Sequence, residues 1–189
     1  MDSLLGVLRT RATRADLLPA SILSLLPAGP TRTLARTRGR LARVFQGVPY
    51  YLAPTPLGAC GQDGISVISA DGREGEATVA LIDNGGWYGF FSGPSAPGPS
   101  LASQVTTSTT VEGVVPDNIA SVTLRYPPGH TAGSPGSAAG GAFTVTTRPI
   151  NNVALVAIPR RSARPAILGT PLITLRAASG RIVKTLRRP

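Results

Sequence analysis

The sequence predicts a mainly β fold, an antiparallel sandwich or an open barrel, with a short helical N-terminal arm. Three observations carry this. Short β-branched and aromatic runs recur from Val44 to Leu186. Turn-forming pairs and triplets separate them, among them Asp71-Gly72, Asn84-Gly85, Asn151-Asn152 and Ala178-Ser179-Gly180. Where a run is long enough to show a period, as in Ile119–Tyr126, the period is two.

The chain of 189 residues fits one domain with extensions. Residues 1–43 read as an Arg-rich arm, and residues 44–189 as the β domain, with loops at 92–103 and 127–141. In the arm, Thr13 and Asp16 have the spacing of a capping box, and one or two helical turns are expected between Thr13 and Leu26. Thr31 to Arg43 has five arginines and few large apolar residues, and reads as a mobile arm or solvated loop.

Val44–Leu52 is the first strand pattern, demoted to an edge or a bulged strand by Pro49. Gly64–Ala70 alternates, and Ala77–Ile82 is short and apolar. Trp87–Phe91 gathers the only Trp with two of the four Phe, and is expected in the core. Gln104–Val115 reads as a strand. In Ile119–Tyr126, Ala120, Val122, Leu124 and Tyr126 share one face, taken as the core, while Ile119, Ser121, Thr123 and Arg125 share the other. Ala142–Arg148 is expected to pair with Val153–Pro159 through the Pro149–Asn152 turn. Pro171–Ala177 and Arg181–Leu186 form a closing hairpin with Gly180 in the left-handed position.

The formal charge is +10, unevenly spread. Residues 1–49 hold eight Arg and two Asp. Residues 50–120 hold Arg73 and seven acids, and Asp117 is the last acid of the chain. From Asn118 to Pro189 there are ten basic side chains and no carboxylate. A GC-rich coding sequence accounts for much of the Arg, Ala, Gly and Pro. The sharper reading is an anion site at the two basic ends, formed by Arg32, Arg36, Arg38, Arg40, Arg43, Arg187 and Arg188.

Three segments act together. They are LGVLRTRATRADLLPAS (Leu5–Ser21), VEGVVPDNIASVTLRYP (Val111–Pro127) and NNVALVAIP (Asn151–Pro159), the last followed by ITLRAASGRIVKT (Ile173–Thr185). The set resembles an uncharacterised protein family of high-GC Gram-positive bacteria, with strands of the kind VPDGVASVTLRYP and NNVFVVRVP. Here Asn118-Ile119 stands where that family has Gly-Val, and Ala177-Ala178 where it has acids. The matching motifs are strand, turn and strand, none catalytic. The resemblance implies an extracytoplasmic or envelope-associated protein.

Chemistry-bearing constellations are sparse. His130 is the only histidine and lies near Ser134 and Ser137, but no G-x-S-x-G elbow accompanies it, so a hydrolase centred on His130 is the weakest reading. Cys60 is alone, which excludes an intrachain disulfide. Asp63, Asp71, Glu74, Glu76 and Asp83 lack calcium-loop spacing. No cofactor and no metal site is expected. No run reaches the roughly 18 apolar residues of a membrane span; Leu17–Ala28 faintly imitates a signal peptide, against which Asp16, Pro19 and Pro27 argue. The expected function is a non-enzymatic structural or binding module, which the resemblance places at the cell envelope. The alternative is an anion- or nucleic-acid-binding protein using its Arg-rich ends. Its partner would be a protein or an anionic polymer.

Overall fold

In a computed structural model of the chain, the structure describes residues 5–26, 28–57, 62–69, 77–78, 81–82, 86–87, 89–94, 108–131, 138–159, 166–167 and 171–187. The fold is mainly β and antiparallel, with a short helical N-terminal region. The helices are α1 (Gly6–Arg9), α2 (Ala20–Leu25) and α3 (Pro30–Arg38), with a 3-10 turn at Arg14–Asp16. The strands are β1 (Arg40–Phe45), β2 (Val48–Leu57), β3 (Gln62–Ser69), β4 (Ala77–Thr78), β5 (Leu81–Ile82), β6 (Gly86–Trp87), β7 (Gly89–Pro94) and β8 (Ser108–Val114). They continue as β9 (Ser121–Tyr126), β10 (Gly129–Thr131), β11 (Ala138–Gly140), β12 (Phe143–Thr147), β13 (Val153–Pro159), β14 (Ala166–Ile167), β15 (Leu172–Arg176) and β16 (Ile182–Arg187).

Three sheets carry the described core. The first has the order β1-β2-β3-β4, the middle one β13-β8-β7 and the C-terminal one β12-β9-β15-β16. Their alternation sets the layers. Tyr50, Leu52, Ile65 and Val67 of the first sheet form one cluster with Val114, Val153 and Leu155 of the middle sheet. The opposite face of β13, Ala154, Val156 and Ile158, clusters with Val122, Leu124, Tyr126, Ile173 and Leu175 of the C-terminal sheet. β13 is therefore buried on both faces, and it reads as a continuous apolar run, VALVAI. On the outer face of the first sheet, Tyr51, Ala53 and Ile68 meet Leu18, Ile22, Leu26 and Ala35 of the helical region.

The helical region is docked rather than mobile. The Asp16 carboxylate accepts from the Thr13 backbone N–H and hydroxyl at 2.7 Å each, so the expected 13–16 box forms. The segment expected as a solvated loop, Thr31 to Arg43, is instead mostly α3 and the start of β1. Gly29 and Pro30 open α3, with Pro at its first position, and Gly39 closes it. The reason is close packing of small residues. Ala35 is fully buried, and a Cβ on Gly39 would sit 2.3 Å from the Ala35 carbonyl and 2.5 Å from Leu18 Cδ1. A helix seated on alanine and glycine shows little hydrophobic periodicity.

Two other expectations change. Val44–Leu52 is not one strand but a hairpin. Gln46 and Gly47 both have positive φ (51° and 80°), the backbone of a two-residue turn matched to strand twist. Pro49, Pro54 and Pro56 are tolerated in β2 because each faces only one partner strand: Pro49 pairs with Val44, and Pro54 and Pro56 pair with Ile65 and Asp63. Secondly, β12 does not pair with β13. β12 pairs with β9 and β13 with β8. Asn151 and Asn152 do make the expected left-handed turn (φ 47° and 70°), and Ile150 and Val153 exchange two backbone hydrogen bonds of 2.9 Å. Beyond that bridge the arms part into different sheets.

Smaller differences concern the loops. The 127–141 stretch contains β10 and β11, which pair with each other, and β7 extends through Pro94 into the expected 92–103 connector. The closing hairpin is as expected: β15 pairs with β16, and Gly180 has φ 82°. In β9, Val122, Leu124 and Tyr126 are buried and Arg125 is exposed, but the alternation begins only at Ser121, since Ile119 is buried and Ala120 is not. The turns at Asp71-Gly72 and Asn84-Gly85, and the side chains of Trp87, Phe90 and Phe91, lie outside the described residues.

Candidate functional site

Two places on the molecule concentrate polar side chains. The first is a latch around Asp117 and Asn152. The β8–β9 connection carries Asp117, and the β12–β13 turn carries Asn152. Asn152 is 6% exposed and uses both ends of its side-chain amide. Its Nδ2 donates to the Val115 carbonyl (3.0 Å) and to Asp117 Oδ1 (2.8 Å), and its Oδ1 accepts from the Val7 N–H (3.1 Å). Asp117 Oδ1 also accepts from the Gly6 N–H at 2.6 Å, and Oδ2 from Arg9 at 2.6 Å. The first two N–H groups of α1 are thus capped by side chains from far along the chain, in place of a local N-cap. Gly6 is needed for the approach, because a Cβ there would lie 2.8 Å from Asp117 Oδ1.

The three segments singled out in the sequence, Leu5–Ser21, Val111–Pro127 and Asn151–Pro159, meet at this latch. Beside it lies an open cavity of about 240 Å³ lined by Gly6, Val7, Pro116, Asp117, Ile119 and the 149–152 turn. Its polar groups are already engaged with one another, so the latch is a structural joint. The ion pair Arg9–Asp117 is half exposed (49% and 40%), and such pairs are worth about 0–1 kcal/mol; the buried Asn152 carries more of the energy.

Burial alone would raise the Asp117 pKa, but donation from Asn152, the Gly6 N–H and Arg9 outweighs it, and the carboxyl sits below its usual value. A depressed carboxyl stabilises the fold above its unfolded pKa of about 3.9, and that stability is lost as pH falls through the folded value. Asp117→Asn is therefore expected to be less stable than wild type at pH 6, with the gap narrowing at pH 2.5. Urea midpoints at the two pH values measure this; a gap that stays constant would mean the charge of Asp117 contributes nothing.

The second place is the outer face of the C-terminal sheet. Register places Thr146 opposite Thr123, Thr123 opposite Thr174, and Thr174 opposite Thr185. Opposed residues of neighbouring strands point to the same side, so these threonines form one row across the sheet. Thr123 and Thr146 hydroxyls are 3.0 Å apart. The next row on one side holds Thr144, Arg125 and Leu172; the next on the other holds Ser121 and Arg176. Arg125, Thr144, Thr146 and Thr185 are exposed. Arg176 keeps one Nη on the Gly180 carbonyl (2.9 Å). All four strands follow Asp117, so the sheet contains no carboxylate. Its apolar side, with Tyr126 stacked on Phe143 (4.8 Å), faces the core.

The arginines expected at the basic ends are dispersed. Arg32 donates to the Ser24 carbonyl (2.8 Å) and the Leu26 carbonyl, tying off the C-terminus of α2. Arg40 donates to the carbonyls of Thr37, Gly39 and Thr10, tying off α3. Arg43 lies over the Phe45 ring at 5.2 Å, with Nε and Nη1 buried and unbonded, and desolvation lowers its pKa. Arg36 is exposed on α3 and Arg38 is half buried. Arg187 pairs by its backbone with Leu172, and Arg188 lies outside the described residues. His130 pairs by its backbone with Ala138 and Ile167; its side chain, Cys60 and the side chains of the acid cluster lie outside the described residues.

Among the described residues no three His, Cys, Asp or Glu side chains converge on a metal site, and no helix is long and apolar enough to cross a membrane. Comparison with protein-family models, with curated proteins and with solved structures finds no match to this chain. The threonine row is the feature the sequence reading missed. Its signal was there in TVTT (144–147), SVTLR (121–125), LITLR (172–176) and KTL (184–186), but the row exists only once the strand order is known.

Proposed function

We propose that this protein is a non-enzymatic binding module that works by surface contact, and that its contact surface is the outer face of the C-terminal sheet. The observation that carries the reading is the polar part of that face: hydroxyls and guanidinium groups, beside Leu172 and the exposed Ile182, on a sheet with no carboxylate. Such a surface attracts anions, and no acid on its own four strands neutralises it. The rigid apolar underside fixes the spacing of the exposed groups. The resemblance of the three segments to proteins of high-GC Gram-positive bacteria adds the cell envelope as the place of action.

Overall positive charge alone would also retain the chain on an anionic matrix, so the test compares two charge-matched variants. Arg125→Ser/Arg176→Ser removes cations from the sheet face; Arg14→Ser/Arg36→Ser removes two exposed cations from the helical region. On immobilised heparin the first variant is expected to elute at clearly lower salt than the second. Equal shifts would reduce the effect to net charge. A larger shift for Arg14→Ser/Arg36→Ser would move the site to the Arg-rich N-terminal region.

A further inference from the structure

We infer that the partner of this face is an anionic polysaccharide, laid across the strands along the threonine row. The inference rests on the cationic-face reading above and adds the class of polymer. The row runs Thr146, Thr123, Thr174, Thr185, one residue per strand. Strands of a sheet lie about 4.8 Å apart, so the threonine positions repeat at close to the length of one pyranose residue, with the Thr123 and Thr146 hydroxyls drawn together to 3.0 Å. A sugar chain crossing the strands meets one threonine per ring.

The hydrogen-bonding inventory separates a polysaccharide from a polyphosphate. Guanidinium groups only donate, whereas a threonine hydroxyl both donates and accepts. A polyphosphate chain offers acceptors alone and leaves the accepting half of the row without a use. A polyhydroxylated chain bearing carboxylates or sulfates uses both halves. Its hydroxyls exchange hydrogen bonds with the row, and its anionic groups reach Arg125 on one side and Arg176 on the other. Single-stranded nucleic acid is further disfavoured by the position of the aromatics. Bases bind by stacking on exposed rings, but Tyr126 and Phe143 stack on the buried side of this sheet.

The test uses the whole chain with polygalacturonate, neutral dextran, polyphosphate and a DNA duplex as probes, by titration calorimetry at two salt concentrations. Two variants accompany it: Arg125→Ser/Arg176→Ser, and Thr123→Val/Thr174→Val, which keeps the β-branched shape and removes the hydroxyls. Circular dichroism and thermal melting establish that each variant folds. Polygalacturonate is expected to bind in a salt-dependent way. The arginine variant should weaken it about tenfold or more. The threonine variant should weaken polygalacturonate about fivefold or more and leave polyphosphate unchanged, since only the sugar uses the hydroxyls. If polyphosphate or the duplex binds as tightly as polygalacturonate and the threonine variant changes neither, the polysaccharide assignment is overturned while the cationic face survives. Binding to dextran equal to that of polygalacturonate would overturn the role of charge. Binding to no polyanion would overturn both readings.

Discussion

Replacing Leu124 with Asp is expected to unfold the domain, and replacing its neighbour Arg125 with Ser to leave stability almost untouched. Leu124 is 1% exposed and sits between Val145 of β12 and Ile173 of β15 in the register of the C-terminal sheet. Its side chain belongs to the cluster that joins this sheet to β13. A carboxylate placed there has no partner, and must stay charged at a cost of several kcal/mol or take up a proton. The lost leucine contacts add about 2–5 kcal/mol. Whole domains are held by roughly 5–15 kcal/mol. Arg125 points to the opposite side, into solvent, where substitutions usually stay within about 0.5 kcal/mol. Thermal midpoints of the two variants check the contrast. Comparable losses would mean the sheet is buried on both faces and would remove the surface on which the proposed binding depends.

Asn152→Ala is expected to cost about 3–5 kcal/mol. The change strips the Val7 N–H and the Val115 carbonyl of partners, and a buried group left unpaired costs about 1–3 kcal/mol. It also places alanine at φ 70°, a left-handed conformation that costs a residue with a Cβ about 1–2 kcal/mol. Asn152→Gly separates the two terms: it should lose the hydrogen bonds but escape the backbone strain, and be about 1 kcal/mol less damaging. Urea denaturation of the three proteins gives the comparison. A stability for Asn152→Ala equal to wild type would mean that the latch is decorative.

How much of this was legible beforehand depended on whether a signal was local. The β15–β16 hairpin was readable because Gly180 and its two neighbours specify the turn by themselves. The buried face of β9 was readable because Val122, Leu124 and Tyr126 alternate with polar residues. The Asn151-Asn152 turn was readable too, but not its consequence. Both arms are apolar enough to pair, and nothing in Phe143–Thr147 or Val153–Pro159 says that one belongs to the C-terminal sheet and the other to the middle one. The Gln46–Gly47 hairpin was hidden because the flanking runs read as one strand and Gln rarely takes a positive φ. α3 was hidden because it buries Ala35 rather than a stripe of leucines. The candidate site was the least legible. A single threonine on each of β9, β15 and β16, and the Thr144/Thr146 pair on β12, are unremarked in sequence, since β propensity alone accounts for each of them.

The latch also sets an order in time. Its bonds from α1 reach across 108 to 145 residues, whereas the threonine pair of the C-terminal sheet spans 23. Closing the longest of these loops costs roughly 1.5 kcal/mol more chain entropy than closing the shorter. Refolding from denaturant should therefore assemble the C-terminal sheet before α1 docks. Synthesis imposes the reverse difficulty: α1 is made well before Asp117 and Asn152, which accept from its first N–H groups. Until then the cluster of Leu5, Val7 and Leu8 with Ala42, Tyr50, Leu52, Ile65 and Val67 lacks the half contributed by Val114, Val153 and Leu155, and the first N–H groups of α1 lack their side-chain acceptors.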